Sequence, residues 1–303
     1  MTTSNRAARI AKLFKVLKKH YQPVPPQGDR LLLEHLLYAC CLENGSCEQA
    51  DEAFAKLQQA YFDWNEIRVT TVSELAETMA ALPDAAAAAA RLKRCLQALF
   101  ETYYSFDIES LKKQNIGKAI KELQQCRGAR PFAIAYATQH GLGGHAIPIN
   151  QGAISALLVL GIVNESEAQN YRVPGLERAI GKSKGVEFAA LLHQFGADFQ
   201  ASPLAPRLRA MFLEIDPESK QRLPKRGDKK SPAEGPSDQA ASAPEEGQPV
   251  DQEPSPPPKK RRAKPENATP APETQSATEP DESGAVLAKK KSETKRIAKR
   301  KPR

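Results

Sequence analysis

After Asp216 the sequence loses the means to build a core. From Pro217 to the C-terminus nearly all aromatic and branched apolar residues disappear, and Pro, Ala, Ser, Glu, Lys and Arg replace them. Such a segment cannot bury enough apolar surface to offset the entropy of ordering it. The composition therefore predicts a folded region ending at residue 216 and a disordered tail over 217–303. Charge divides the same way. Residues 218–303 hold 20 Lys and Arg against 14 Asp and Glu, a net of +6, while the rest of the chain holds 24 against 22, a net of +2. The tail's positive charge is clustered in KRGDKK at 225–230, KKRRAK at 259–264 and KKKSETKRIAKRKPR at 289–303, with acidic stretches such as EPDE at 279–282 between. Flexible basic blocks bind polyanions by releasing counterions, without reading sequence. A solubilising tail is the plainer reading, and PKKRRAKP also resembles a nuclear import signal.

Within the folded region nearly every apolar pattern has the helical period. Ile10, Leu13, Phe14 and Leu17 fall at i, i+3, i+4 and i+7 of a basic segment over 5–21, which predicts an amphipathic N-terminal helix in a segment 1–27. Its basic side suits a phosphate or a partner, and equally a solvated surface. PVPPQGD at 23–29 ends it, because proline cannot continue a helix. Helices are expected at 30–42, 48–63, 72–81, 85–105, 107–114, 117–125, 132–140, 150–160, 174–182 and 185–197, with Ser73 and Asp84 as N-caps. Strand-like alternation is nearly absent. The expected class is all-α, with one helical domain over 28–216.

Five cysteines, Cys40, Cys41, Cys47, Cys95 and Cys126, suggest no disulfide framework in a chain of 303 residues, and the odd count fits a reducing compartment. No signal-like apolar run follows Met1 and no 18-residue apolar run occurs, so the expectation is a soluble intracellular protein with no membrane span. His140 and His145 flank a Gly-rich break without a neighbouring Cys, Asp or Glu, which points to turn or capping roles; no metal is expected.

Three stretches carry more. Asp63-Trp64-Asn65-Glu66-Ile67-Arg68-Val69 is a short link between helices. Gly128-Ala129-Arg130-Pro131-Phe132-Ala133 is a Gly turn opening a helix. Gly141-Leu142-Gly143-Gly144-His145-Ala146-Ile147-Pro148-Ile149-Asn150 is a Gly-rich break leading to an N-cap. Together, over roughly residues 28–200, they resemble the helix-hairpin-helix DNA glycosylase superfamily, the HhH-GPD group that contains endonuclease III and the adenine-specific mismatch glycosylases. The resemblance implies a hairpin of two short helices that aims backbone N–H groups at a DNA phosphate. Gly128 keeps the first glycine of that hairpin, and Arg130 replaces the second, adding a cation beside Arg127. A Gly-x-x-Pro sequence is also an ordinary interhelical turn.

The same resemblance implies what is missing. The family's nucleophilic lysine corresponds to Phe132, which has no lone pair to attack carbon; Lys118 and Lys121 precede the hairpin and do not replace it by spacing. The family's aspartate corresponds to Asn150, an amide that can orient water but cannot act as a general base or supply full charge. Glu34 and Glu43 lie near the helix from which adenine-specific members draw a carboxylate, in a different register, and are expected to be solvated. Many members hold a [4Fe–4S] cluster on four cysteines near the end of the fold; no cysteine follows Cys126 here, so no such cofactor is expected, and the thiols read as small core residues.

The expected function is therefore that of a catalytically degenerate relative of base-excision-repair glycosylases. Its expected partner is duplex DNA, damaged or distorted duplex included, and its location is cytoplasmic, at the nucleoid. The expected DNA contacts are Arg127, Gly128, Ala129, Arg130 and Asn150 in the domain and Lys259, Lys260, Arg261 and Arg262 in the tail. Two other readings stand beside it: an active monofunctional DNA glycosylase or abasic-site lyase, and an architectural scaffold that holds DNA mainly through the tail.

Overall fold

The computed structural model describes residues 3–24 and 30–224. The basic clusters of the tail, with Lys259, Lys260, Arg261 and Arg262, lie outside the described residues. Among those described, the regular structure is α1 (Thr3–His20), α2 (Leu32–Leu42), α3 (Cys47–Ala60), α4 (Trp64–Val69), α5 (Val72–Thr78), α6 (Ala85–Tyr103), α7 (Ile116–Gln125), α8 (Pro131–His140), α9 (Gln151–Val159), α10 (Glu165–Gln169), α11 (Leu176–Ala179), α12 (Lys182–Ala201) and α13 (Pro206–Ile215). Two 3-10 turns, Glu109–Lys113 and Pro217–Gln221, complete it, and no described residue is in a strand. The class is all-α.

Helix starts follow side-chain chemistry. Ser46 accepts from the Gln49 N–H while Gln49 returns a bond to the Ser46 N–H, a reciprocal cap that starts α3. Asp63 caps α4 and Asp84 caps α6, each accepting from the amide three residues on. The start of α5 is capped by Thr71 rather than Ser73, because only Thr71 lies outside the helix with its oxygen near the Glu74 N–H. Pro131 and Pro206 occupy first helical positions, where a missing N–H costs nothing.

Two lobes carry separate cores. The first lobe is built by α2 to α8 around Leu36, Phe54, Leu96 and Phe132. The second is built by α1, α9, α11, α12 and α13 around Leu13, Leu157, Phe188, Phe195 and Phe212. The N-terminal helix is thus no appendage. Ile10, Leu13, Val16 and Leu17 are buried, Phe14 meets Phe188 edge-on at 5.3 Å, and Arg6 makes a two-pronged pair with Glu167 at 3.0 Å. In the second lobe α9 and α12 touch backbone to backbone: a Cβ on Gly152 would fall onto the carbonyl of Gly196. Only glycine permits that approach.

The boundary expected at 216 falls inside ordered structure. Asp216 caps the 3-10 turn that follows, Ser219 is fully buried, and Leu223 packs on the second core. Arg222 bonds Asp216 at 2.6 Å and the Val159 carbonyl at 2.7 Å, and Arg9 donates to the Leu160 carbonyl at 3.0 Å. These two arginines satisfy carbonyls left open at the end of α9. Composition missed this because the anchor is polar.

Candidate nucleic-acid interface

The turn between α7 and α8 is where chain chemistry and geometry converge. Gly128 has φ +95°, a backbone state that L side chains rarely adopt. A Cβ there would lie 2.7 Å from the Arg91 carbonyl oxygen and 2.9 Å from the Cys95 amide nitrogen, so the turn is seated directly on α6. The Ala129 N–H closes the turn on the Cys126 carbonyl at 3.1 Å. Behind it the Cys95 and Cys126 sulfurs are 3.2 Å apart in the core. Arg127 projects into solvent at the tip. Lys118 pairs with Glu122 at 3.8 Å on the exposed face of α7, and Lys121 is likewise exposed, so neither reaches the turn's far side.

Arg130 is held rather than free. It is the N-cap of α8, and its guanidinium makes three contacts with two residues. Nε lies 3.4 Å from Glu43 Oε1, Nη2 donates to the Tyr171 hydroxyl at 3.3 Å, and the group sits over the Tyr171 ring. Glu43 is not solvated: it is 2 % exposed at the end of α2, with Arg91 Nε 3.5 Å from its second oxygen. Burial pushes the Glu43 carboxyl above the usual carboxylate range, while the Arg130 and Arg91 guanidiniums pull the other way and offset only part of that. Tyr171 itself has φ +51° and is half-buried. Glu34 serves the start of α2, accepting from the Leu31 N–H at 2.8 Å.

Beyond Arg130 lies a cleft of 420 Å³ between the lobes, walled by Pro131, Phe132 and Ala135 on one side and by Ile147, Ile149, Tyr171, Arg172 and Glu177 on the other. His145 fixes its rim, with Nε2 2.9 Å from the carbonyl oxygens of both Glu177 and Ile180. A smaller cavity of 50 Å³ lies on the other face of Phe132, beside Tyr38, Cys47, Tyr136, His140 and His193. Phe132 is 1 % exposed and its ring stands 5.8 Å from that of His193. The position of the expected lysine is thus an interior partition.

Asn150 is interior. It is 1 % exposed, its Oδ1 accepts from the Ala153 N–H at 2.8 Å, and its Nδ2 donates to the His193 carbonyl at 3.3 Å. Asn150 thus caps α9 and ties it to the backbone of α12. Cys40, Cys41, Cys95 and Cys126 are buried and free, as small core residues; Cys47 is half-exposed, its sulfur 3.9 Å from His193 Nδ1, with burial raising the thiol to about 11. Four of the five sit in the first core, so they do not fit an iron–sulfur ligand set near the end of the fold.

No family model matches the sequence, and no curated protein matches it either. Solved structures do. A non-covalent endonuclease III–DNA complex aligns at TM-score 0.52 and 15 % identity, covering 74 % of this chain and 99 % of that one. A trapped endonuclease III–DNA covalent intermediate aligns at 0.49 and 14 %, covering 74 % and 100 %. A thermostable thymine-DNA glycosylase aligns at 0.46 and 15 %, covering 68 % and 91 %. With its two helical lobes and the cleft between them, this chain has the all-α fold of endonuclease III.

Proposed function

We propose that this chain is a DNA-binding protein of the glycosylase fold that grips the duplex backbone at its hairpin and performs no base excision. One observation carries the reading. The hairpin tip seats Gly128 in the left-handed region on α6 with Arg127 exposed beside it, while the two positions of the family's chemistry are interior. A turn of this kind offers backbone N–H groups and an exposed cation to a phosphate without contacting a base. The protein of the same fold in the endonuclease III complex is bound to DNA. Phe132 cannot form a Schiff base, and neither Asn150 nor the enclosed Glu43 can present a carboxylate to a sugar in the cleft. The tail would add affinity as a tethered second site through clusters such as Lys259, Lys260, Arg261 and Arg262.

The test is fluorescence anisotropy of the full chain on duplexes with and without an abasic site, run beside strand-cleavage and base-release assays. Binding without cleavage is expected, and Arg127→Glu should weaken it on every sequence and lower the salt slope by about one. Base release or strand cleavage that survives repurification would replace this reading with that of an active enzyme. Binding insensitive to Arg127→Glu but lost with residues 225–303 would make the tail the main DNA ligand.

A further inference from the structure

One feature of the hairpin is at odds with simple DNA capture: its second cation is already spent. Arg130 stands at the start of α8, two residues from Gly128, where a phosphate on the hairpin would come within its reach. Instead its Nε faces the buried Glu43 carboxylate at 3.4 Å and its Nη2 the Tyr171 hydroxyl at 3.3 Å. Its side chain is 32 % exposed, so about a third of it already meets solvent. Behind it Glu43 has a second cation, Arg91, buried on α6 with its Nε 3.5 Å from the other oxygen but not hydrogen-bonded to it, while Arg91 Nη2 donates to the Cys40 carbonyl at 3.3 Å. The carboxylate thus faces one fully buried cation and one that meets solvent.

We propose that Glu43 acts as an internal stand-in for a phosphate, so that the hairpin takes a phosphodiester by exchanging Arg130 from Glu43 and Tyr171 onto it. The inference rests on the DNA-binding reading above and adds its regulation. Bound to Glu43, Arg130 ties the first lobe to Tyr171, which lines the far wall of the 420 Å³ cleft. Moved to DNA, it releases that bridge. Backbone engagement and cleft access are then coupled through one guanidinium, and a ligand that cannot draw Arg130 away meets a hairpin with Arg127 alone.

Arithmetic sets the expected size. If Glu43 holds Arg130 nine-tenths of the time, the apparent affinity is lowered about tenfold, and freeing Arg130 restores it. Glu43→Gln should therefore tighten duplex binding by about tenfold and steepen its salt dependence, which a change of packing alone would not do. Tyr171→Phe removes only one hydrogen bond from a half-buried ring, and should tighten binding by a smaller factor with the fold intact. Arg130→Gln should cost more affinity in the Glu43→Gln chain than in the wild type.

Anisotropy on one duplex at three salt concentrations, for the wild type, the single variants and the Glu43→Gln/Arg130→Gln pair, decides the matter. Coupling between Glu43 and Arg130, or tightening by Tyr171→Phe if Glu43→Gln fails to fold, supports the exchange. Wild-type binding with no tightening by either folded variant and an equal Arg130→Gln cost in both backgrounds overturns it and leaves the DNA-binding reading standing. No binding by any chain overturns both. Binding only once Glu43 is removed would mean that the wild type is held shut until another anion competes.

Discussion

Asn150 uses both ends of its amide, accepting from Ala153 and donating to His193 in a site closed to solvent. Asn150→Asp keeps the acceptor but sets a carboxylate oxygen against a carbonyl oxygen. The chain should lose about 1–3 kcal/mol at pH 7, read as a fall in the urea midpoint. The loss should shrink towards pH 4, where the neutral acid can donate to His193. A second cluster gives a pH signature of its own. His35 and His140 stack at 5.9 Å, and both are lowered to about 4: His35 chiefly by burial and then Arg30, His140 chiefly by burial and then His35. Their ordinary value is near 6.5, so between pH 6.5 and 4 the unfolded chain binds more protons than the folded one. Stability held above pH 6.5 should fall as pH drops through that window. The slope of urea stability against pH should be reduced by replacing both histidines with Asn, leaving the share of buried His193, which burial also lowers, and an unchanged slope would show that other groups set it.

Elements were legible in proportion to their apolar period. The N-terminal basic helix, α6 and α12 follow patterns the sequence repeats over four turns or more, and α8 and α9 follow clear start signals. The short helices α4 and α10 carry one buried side chain and none, so nothing periodic announced them. The helix α13 did have its signal, with Leu208, Met211, Phe212 and Ile215 at i, i+3, i+4 and i+7, in a stretch overshadowed by the compositional break. Of the candidate site, the turn at Gly128 and the cation at Arg127 could be read locally. The pairing of Arg130 with Glu43 could not, because the two are joined only when α2 and α8 pack. The turn carries its own prediction. Gly128→Val forces a branched side chain into a left-handed φ and onto the α6 backbone, and should cost at least about 2 kcal/mol. Hydrogen exchange should locate the loss at 126–131, together with loss of the Arg127-dependent part of DNA binding; protection there equal to wild type would show that the turn does not lean on α6.

At the scale of the whole molecule, the C-terminal anchor decides where the chain can be cut. A chain ending at 224 keeps Ser219, Arg222 and Leu223, whereas one ending at 216 loses these and with Arg222 one of the two caps at the end of α9. The shorter form should melt several degrees lower, since a loss of about 1 kcal/mol moves a domain of this size by roughly 2–4 °C; equal melting would mean that the anchor is ornamental. The lobes also differ in how their chain is distributed. The first is continuous from residue 32 to 140. The second joins the opening helix to the closing one, with Lys19 paired to Glu214 across 195 residues. During synthesis, then, the first lobe can complete itself while the ribosome is still producing α9, but α1 must wait. For most of translation it is a basic amphipathic helix with its apolar side uncovered, and a nascent chain of this protein will be most vulnerable to chaperone capture or aggregation in the interval before α13 emerges.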